Sequence, residues 1–419
     1  MTHAIGSPDL VWLIAGGAIL GIVLRPWRIP EALWASLGAG AALALSLISW
    51  REALAAVREG TDVYLFLTGM MLLAELARRE GLFAWTAALA TRIARGSPRR
   101  LFALVYAVGI VVTTLLSNDA TAVVLTPAVY AAAKDAGAPP LPYLLICAFI
   151  ANAASFVLPI SNPANLVVYG AAMPPLGAWL ARFAVPSVAA IAATYAVLRV
   201  ALRAQLAGSI VIDPVVPPLG AAGRVAAGGI GATAALLALS SGLGHPLGPP
   251  TLLCAAATWL AILVVRRAPP WGALRRISWS VLPLVAALFV LVRTVELTGA
   301  LAPLVRHLAP PAADRPAHAA AAASIVGVAT NLLNNLPVGL LATNLITAAH
   351  ASARTAGALL IGVDLGPNLS VTGSLATILW LIALRREGVE VSAGRFLRLG
   401  VLAMPLALAA ALACFLAVT

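Results

Sequence analysis

The stretch LLSNDATAVVLTP, Leu115 to Pro127, decides how the rest of the chain is read. It lies inside an apolar run, residues 101–133, whose single charge is Asp119. Ser117, Asn118, Asp119 and Thr121 therefore stand where hydrocarbon is expected. An ionisable side chain at membrane depth costs roughly 3 kcal/mol or more, so such a residue marks a functional site that faces a polar cavity.

Composition gives the setting. The chain has 419 residues, of which 62% are hydrophobic and 10% charged, and its mean hydropathy is +0.98. Soluble proteins carry about a quarter charged residues, so this is a polytopic membrane protein. The net charge of +12 comes from arginines clustered between apolar runs, the pattern of cytoplasmic loops and not of a nucleic-acid face. Lys134 is the sole lysine, and alanine and arginine abound, a bias that points to a GC-rich bacterial genome. Cys147, Cys254 and Cys414 lie far apart in apolar runs and form no disulfide framework. The five histidines have no metal-ligand spacing, and neither a metal nor another cofactor is expected. The leading MTHAIGSPDL lacks a basic region, so the first apolar run is expected to remain as a helix and not to be removed as a signal peptide.

Outward from the opening stretch, runs near 10–24, 31–49 and 63–77 are spans, given that about 20 residues cross a bilayer core. Residues 82–94, bounded by arginines, suit a helix lying in the interface. The run 101–133 is too long for one span and too short for two with a turn, which predicts a re-entrant hairpin with Ser117 to Asp119 at its tip. The run 141–172 is interrupted by LPISNPAN, and Pro159 and Pro163 predict an unwound segment between them that exposes Ser161, Asn162 and Asn165. A span near 183–202 follows, and then a Pro- and Gly-rich linker, 204–223, that contains Asp213.

The second half repeats this plan with spans near 225–242, 250–265 and 279–297, a hairpin, an interrupted run 355–384 and a span near 397–418. LLNNLPVGLLATN, Leu332 to Asn344, sets Asn334 and Asn335 opposite Ser117 and Asn118. GVDLGPNLSVTGSLAT, Gly362 to Thr377, supplies Asp364, Asn368, Thr372 and Ser374. Two matches in the same order predict an all-α inverted-repeat secondary transporter of about 10 spans, two hairpins and two broken helices, with its site at the repeat interface. The division is 1–203 with hairpin 101–133, linker 204–223, and 224–419 with hairpin 317–350. Five spans plus a hairpin invert the second half. On that scheme 20 of the 27 basic residues fall on one side, which places that side in the cytoplasm and both termini outside. A 12-span scheme with cytoplasmic termini is the alternative.

LLSNDATAVVLTP, LPISNPANLVV, TNLLNNLPVGLLATNL and GVDLGPNLSVTGSLATILWL resemble the signature regions of the arsenical pump membrane proteins, arsenite and antimonite exporters of the ion transporter superfamily. The resemblance implies proton-driven export of trivalent arsenic and antimony hydroxides across the bacterial inner membrane, in some cases with a separate cytoplasmic ATPase. Two departures stand out. Asn152 occupies a place where the family often carries an acid, and SNPAN differs from the usual form.

A neutral trihydroxide needs hydrogen-bond donors and acceptors, and amides and hydroxyls supply both. Ser117, Asn118, Thr121, Ser161, Asn162, Asn165, Asn334, Asn335, Thr372 and Ser374 are the candidate lining, and Asp119 and Asp364 the candidate proton carriers. Structural roles compete with these: Asn334 and Asn335 as caps of broken helices, and Asp364 as acceptor from unwound backbone. Glu75 and Glu296 suit pairing with arginine near the ends of their spans. Other classes are a sodium–proton antiporter, an anion carrier and an intramembrane enzyme. No arginine falls inside the polar breaks, which disfavours an anion, and the chain has neither a GxSG nucleophile nor an HExxH pair.

Overall fold

The computed structural model describes residues 8–24, 26, 29–170, 173–211, 216, 218–267, 271–299 and 315–419. Among these there are helices and connections and no strand. The first half comprises α1 (Pro8–Leu24), α2 (Glu31–Ala44), α3 (Trp50–Glu59), α4 (Thr61–Arg79), α5 (Leu82–Ala94) and α6 (Pro98–Leu116). After Ser117, the segments Asn118–Ala120, Thr121–Leu125 and Thr126–Asp135 run on as one helix, α7, and α8 (Leu141–Ala153), α9 (Pro163–Tyr169) and α10 (Leu176–Ala201) follow. The second half comprises α11 (Ala221–Gly242), α12 (Gly248–Arg266), α13 (Trp271–Arg276), α14 (Val281–Leu297), α15 (Pro316–Leu333), α16 (Asn335–Ala348), α17 (Ala353–Leu365), α18 (Leu375–Arg386) and α19 (Ala393–Val418). Six of these, α6, α10, α11, α12, α15 and α19, are long and apolar enough to cross a membrane singly. The pair α3 and α4, bent by 47° at Gly60, passes the same test of length and composition only when taken together. The protein is a multi-pass helical membrane protein.

The sequence leaves residues 50–62 between two expected spans with no element assigned, and α3 lies there. Ser49 Oγ accepts from Glu52 N at 3.2 Å and the Glu52 carboxylate accepts from Ser49 N at 3.1 Å, a capping box that starts a helix too polar to register as a span. Part of the linker is also ordered: Ile210 N donates to Gly96 O and Val211 N to Ala136 O, each at 3.0 Å, tying the segment beneath α6 and α7. Asp213 lies outside the described residues.

Each half carries a one-residue joint between two helices. Ser117 (φ 106°, ψ 161°) separates α6 from α7, and Asn334 (φ 72°, ψ 154°) separates α15 from α16. Neither is glycine, and a non-glycine residue held at positive φ costs of order 1–3 kcal/mol, a strain associated with functional sites. The joint amides donate to equivalent carbonyls, Ser117 N to Thr113 O at 3.1 Å and Asn334 N to Thr330 O at 2.7 Å. In α7 the residues Thr121–Leu125 widen into a π turn. Pro127 lacks the N–H that would bond four residues back, and the Thr126 hydroxyl instead donates to Thr121 O at 3.2 Å. Pro337 sits in the first turn of α16, where no N–H is needed, and α16 stays regular.

The first broken helix opens earlier than the two prolines alone predict, directly after Ala153. Leu158, ahead of Pro159, is extended (φ −124°, ψ 157°), and the freed carbonyls of Ser155 and Leu158 are taken by Asn165 Nδ2 at 2.8 and 3.2 Å. The second break runs through a 3-10 turn, Gly366–Leu369, to Ser374, whose Oγ accepts from Thr377 N at 3.1 Å to start α18. A Cβ at Gly366 would overlap the Gly327 carbonyl, so α15 approaches this turn at backbone contact. The long helices α10 and α19 pack along each other, and Phe183 stacks on Phe415 with ring centroids 5.5 Å apart.

Candidate functional site

The two breaks meet in the centre. Asn162, the N-cap of α9, accepts from Ala164 N through Oδ1 at 3.1 Å. Its Nδ2 donates to Asp364 Oδ1, in the last turn of α17, at 2.5 Å. The converse contact joins Asn152, in the last turn of α8, to the second break: Asn152 Nδ2 lies 3.1 Å from Asn368 Oδ1 and 3.4 Å from Thr377 Oγ1. Asn368 Nδ2 returns a bond to Phe149 O at 3.1 Å, and Thr377 Oγ1 lies 2.9 Å from Ser374 Oγ. In each half, then, the last turn before the break is bonded across to the break of the other half.

The helices after the two joints cross over too. α16 packs on α9, where Thr343 Oγ1 donates to Val167 O at 2.8 Å, and the π turn of α7 packs on α18. The helices before the joints, α6 and α15, hold the break that follows in their own half. Ser161 Oγ donates to Thr114 O at 3.1 Å. At the equivalent place Thr372 Oγ1 donates to Asn331 O at 2.8 Å, Ser370 Oγ to Asn331 Oδ1 at 2.7 Å, and Asn334 Nδ2 to Thr372 O at 3.4 Å. Thr121 is buried, its hydroxyl 2.8 Å from that of Thr113.

Asn118 and Asn335, the first residues after the joints, are each 2% exposed, and the Oδ1 of each has no hydrogen-bond partner. The same holds for Oδ1 of Asn152 and Asn165 and for Oδ2 of Asp364. A buried acceptor left unpaired costs about 1–3 kcal/mol, so each of these five, at or near a break or joint, calls for a donor. Asn334 makes no side-chain cap and Asp364 takes a side-chain donor, not a backbone one.

Asp119 is set apart from Asp364. With Ser117 it lines a small cavity of about 60 Å³ between α7, α4 and the start of α14, beside Met70, Glu75 and Arg276. Glu75 is engaged with Arg78, Oε2 accepting from Nε at 2.7 Å, and Glu296 with Arg293 at 2.9 Å. The structure adds Asn152, Asn331, Asn368 and Thr377 to the central network, none of them in the lining expected from sequence. All but Asn152 lie inside the quoted motifs, and the signal for each is its position within about one helical turn of a joint or break. No cluster of histidine, cysteine or carboxylate side chains able to hold a metal occurs among the described residues.

Residues 10–366 match the model of the family described as citrate transporter. Over 422 residues the chain is 30% identical to the arsenical pump membrane protein of Escherichia coli strain K12, covering 93% of this chain and 95% of that one. The chain belongs to the arsenical pump membrane protein family. The homologous arsenical pump membrane protein of Yersinia enterocolitica is 27% identical over 431 residues, with 93% and 95% covered. An uncharacterized transporter of Mycobacterium tuberculosis is 27% identical over 418 residues, with 93% and 94% covered. The fold is shared with the YdaH transporter of Alcanivorax borkumensis at a TM-score of 0.53 and 15% identity, over 87% of this chain and 86% of that one. As a member of the arsenical pump family the chain is a secondary membrane transporter.

Proposed function

We propose that the protein exports arsenite and antimonite, as neutral trihydroxides, from the cytoplasm of a bacterium and takes up protons in exchange across the inner membrane. The observation that carries this reading is the excess of buried acceptors: Oδ1 of Asn118, Asn152, Asn165 and Asn335 and Oδ2 of Asp364 make no hydrogen bond within the protein. A trihydroxide brings three O–H donors and no charge. A citrate-like anion, the substrate in the description of the matching family model, brings mainly acceptors when ionised, and the breaks hold no arginine or lysine to receive it.

Asp364 is suited to coupling because protonation converts its Oδ2 from acceptor to donor at the point where the two halves join. The recurrence of joint, break and cap in the two halves supports an inverted repeat with its site at the interface. The arginine-rich loops then face the cytoplasm, and they form the surface on which a separate arsenical pump ATPase would dock. Competition tests the substrate class: arsenite exchange in proteoliposomes should be inhibited by antimonite and be indifferent to citrate. Inhibition by citrate alone would support the anion reading.

A further inference from the structure

An open groove of about 420 Å³ lies between α5, α6 and α11. On α6 its wall is the stripe Leu104, Val108, Val111 and Leu115, steps of three or four residues along one face of the helix. Ile93 of α5 and Ala227 and Ile230 of α11 stand on the other sides. Thr86 is the one polar residue in the lining, and its hydroxyl donates to Phe83 O at 2.9 Å. The groove therefore offers an occupant apolar contact. It is open to the side, with Ile93 51% and Val111 55% exposed, and α6 and α11 are both apolar helices of spanning length, so this surface meets hydrocarbon. The α6 wall from Leu104 to Leu116 is roughly 18 Å long at 1.5 Å per residue, against about 15 Å for one leaflet of a bilayer core.

Charge identifies the occupant. Arg100 stands one helical turn before Leu104, at the head of the α6 stripe, and Arg92, Arg95 and Arg99 share the short α5–α6 turn with it. Arg224 stands one turn before Ala227 on α11. All five are exposed, and none of them makes an ion pair among the described residues. The helices α5, α6 and α11 contain no carboxylate. Glu80, ahead of α5, is bonded to Arg266 at 2.8 Å, and Asp135 lines a separate cavity with Ala84 and Ala88. In a two-fold contact between copies through the groove, these arginines would meet their own images with no carboxylate on the groove's helices to receive them.

We propose that the groove binds one acyl chain of an anionic phospholipid of the bilayer, its headgroup phosphate held by Arg100 and the neighbouring arginines of the α5–α6 turn. Guanidinium groups match phosphate oxygens, and basic pockets beside membrane-spanning helices take anionic headgroups. The chain then lies against Leu115 and Leu116, the two residues that lead into the joint at Ser117.

The test uses the full-length protein, delipidated in detergent and titrated with phosphatidylglycerol or with phosphatidylcholine of the same chains, bound lipid being counted by native mass spectrometry. Phosphatidylglycerol should bind the more tightly. Arg99→Gln with Arg100→Gln should weaken it about fivefold for each arginine removed. Val111→Trp, which fills the groove and leaves every arginine in place, should weaken it too. Elution profile and melting temperature establish folding, and if Val111→Trp fails to fold, Ala107→Trp, also at an exposed lining position, replaces it and is read by the same criterion. Equal binding of the two lipids overturns the headgroup site. Binding weakened in the arginine variant but unchanged in a folded groove-filling variant is general surface attraction and overturns the groove. A lowered oligomeric mass in the groove-filling variant assigns the groove to a second copy and overturns the lipid.

Discussion

Asn162 and Asp364, 202 positions apart, are joined by a 2.5 Å hydrogen bond from the first broken helix to the second. The bond ties the N-cap of α9 to the last turn of α17, so the two halves share one carboxylate at the place where both helices unwind. Asp364 is fully buried, and its Oδ2 makes no hydrogen bond, with the Ser155 hydroxyl beside the carboxylate committed to Asn152 O. Whatever donates to Oδ2 senses both halves at once.

Replacing this carboxylate separates its structural from its transport role. Asp364→Asn keeps an acceptor for Asn162 and removes the titration, so the protein is expected to fold with gradient-driven arsenite transport lost and its pH dependence flattened. Asp364→Leu also leaves Asn162 Nδ2 unpaired and is expected to cost about 1–3 kcal/mol of stability. Thermal unfolding and transport across pH check both. A normal pH–rate profile in Asp364→Asn would remove Asp364 from coupling.

The asparagines at the joints carry the opposite expectation for stability. Because Oδ1 of Asn118 and of Asn335 has no partner, Asn118→Ala or Asn335→Ala removes an unpaired acceptor and should leave the melting temperature unchanged or raise it. Transport should fall at least tenfold, the loss of about 1.4 kcal/mol that one substrate hydrogen bond can supply. A lowered melting temperature with normal transport would make these residues structural.

Asp119 occupies its own cavity with Arg276 among the lining residues. Asp119→Asn is expected to abolish uphill export driven by a pH gradient while leaving downhill exchange between equilibrated pools measurable. Gradient-driven transport that survives with the same pH dependence would leave Asp364 as the sole coupling carboxylate to test.

Most of the helices are legible in the sequence because apolar runs and prolines announce themselves. LLSNDATAVVLTP locates the first joint at Ser117, and LLNNLPVGLLATN its counterpart at Asn334, since a polar pair inside hydrocarbon is too costly to stand there without a cavity or a break to face. α3 is not legible: its polar face reads as a loop, and only the Ser49–Glu52 capping box marks its start. Nor is the separation of Asp119 from Asp364. Sequence places both beside the centre, whereas Asp119, two residues after Ser117, lines a cavity shared with α4 instead of the breaks. The partners of Asn331 and Asn368 escape a reading of sequence: an amide inside α15 or in the GPNL turn gives no hint of what it bonds, here the second break and the α8 carbonyl at Phe149.

Topology gives a further check. If the arginine-rich loops are cytoplasmic and the second half is inverted, the end of α19 faces outward. A reporter active only in the periplasm should work when fused after Thr419, and one active only in the cytoplasm should not. The reverse result would place the C-terminus in the cytoplasm and remove the five-span-plus-hairpin arrangement.

The central claim, export of a neutral metalloid hydroxide against its gradient in exchange for protons, is tested most directly by uptake into everted membrane vesicles with an imposed pH gradient, acid inside. Arsenite and antimonite should accumulate, accumulation should collapse when a protonophore is added, and citrate should not accumulate under the same gradient. Accumulation of citrate without arsenite, or arsenite uptake that persists after the protonophore, would contradict the account.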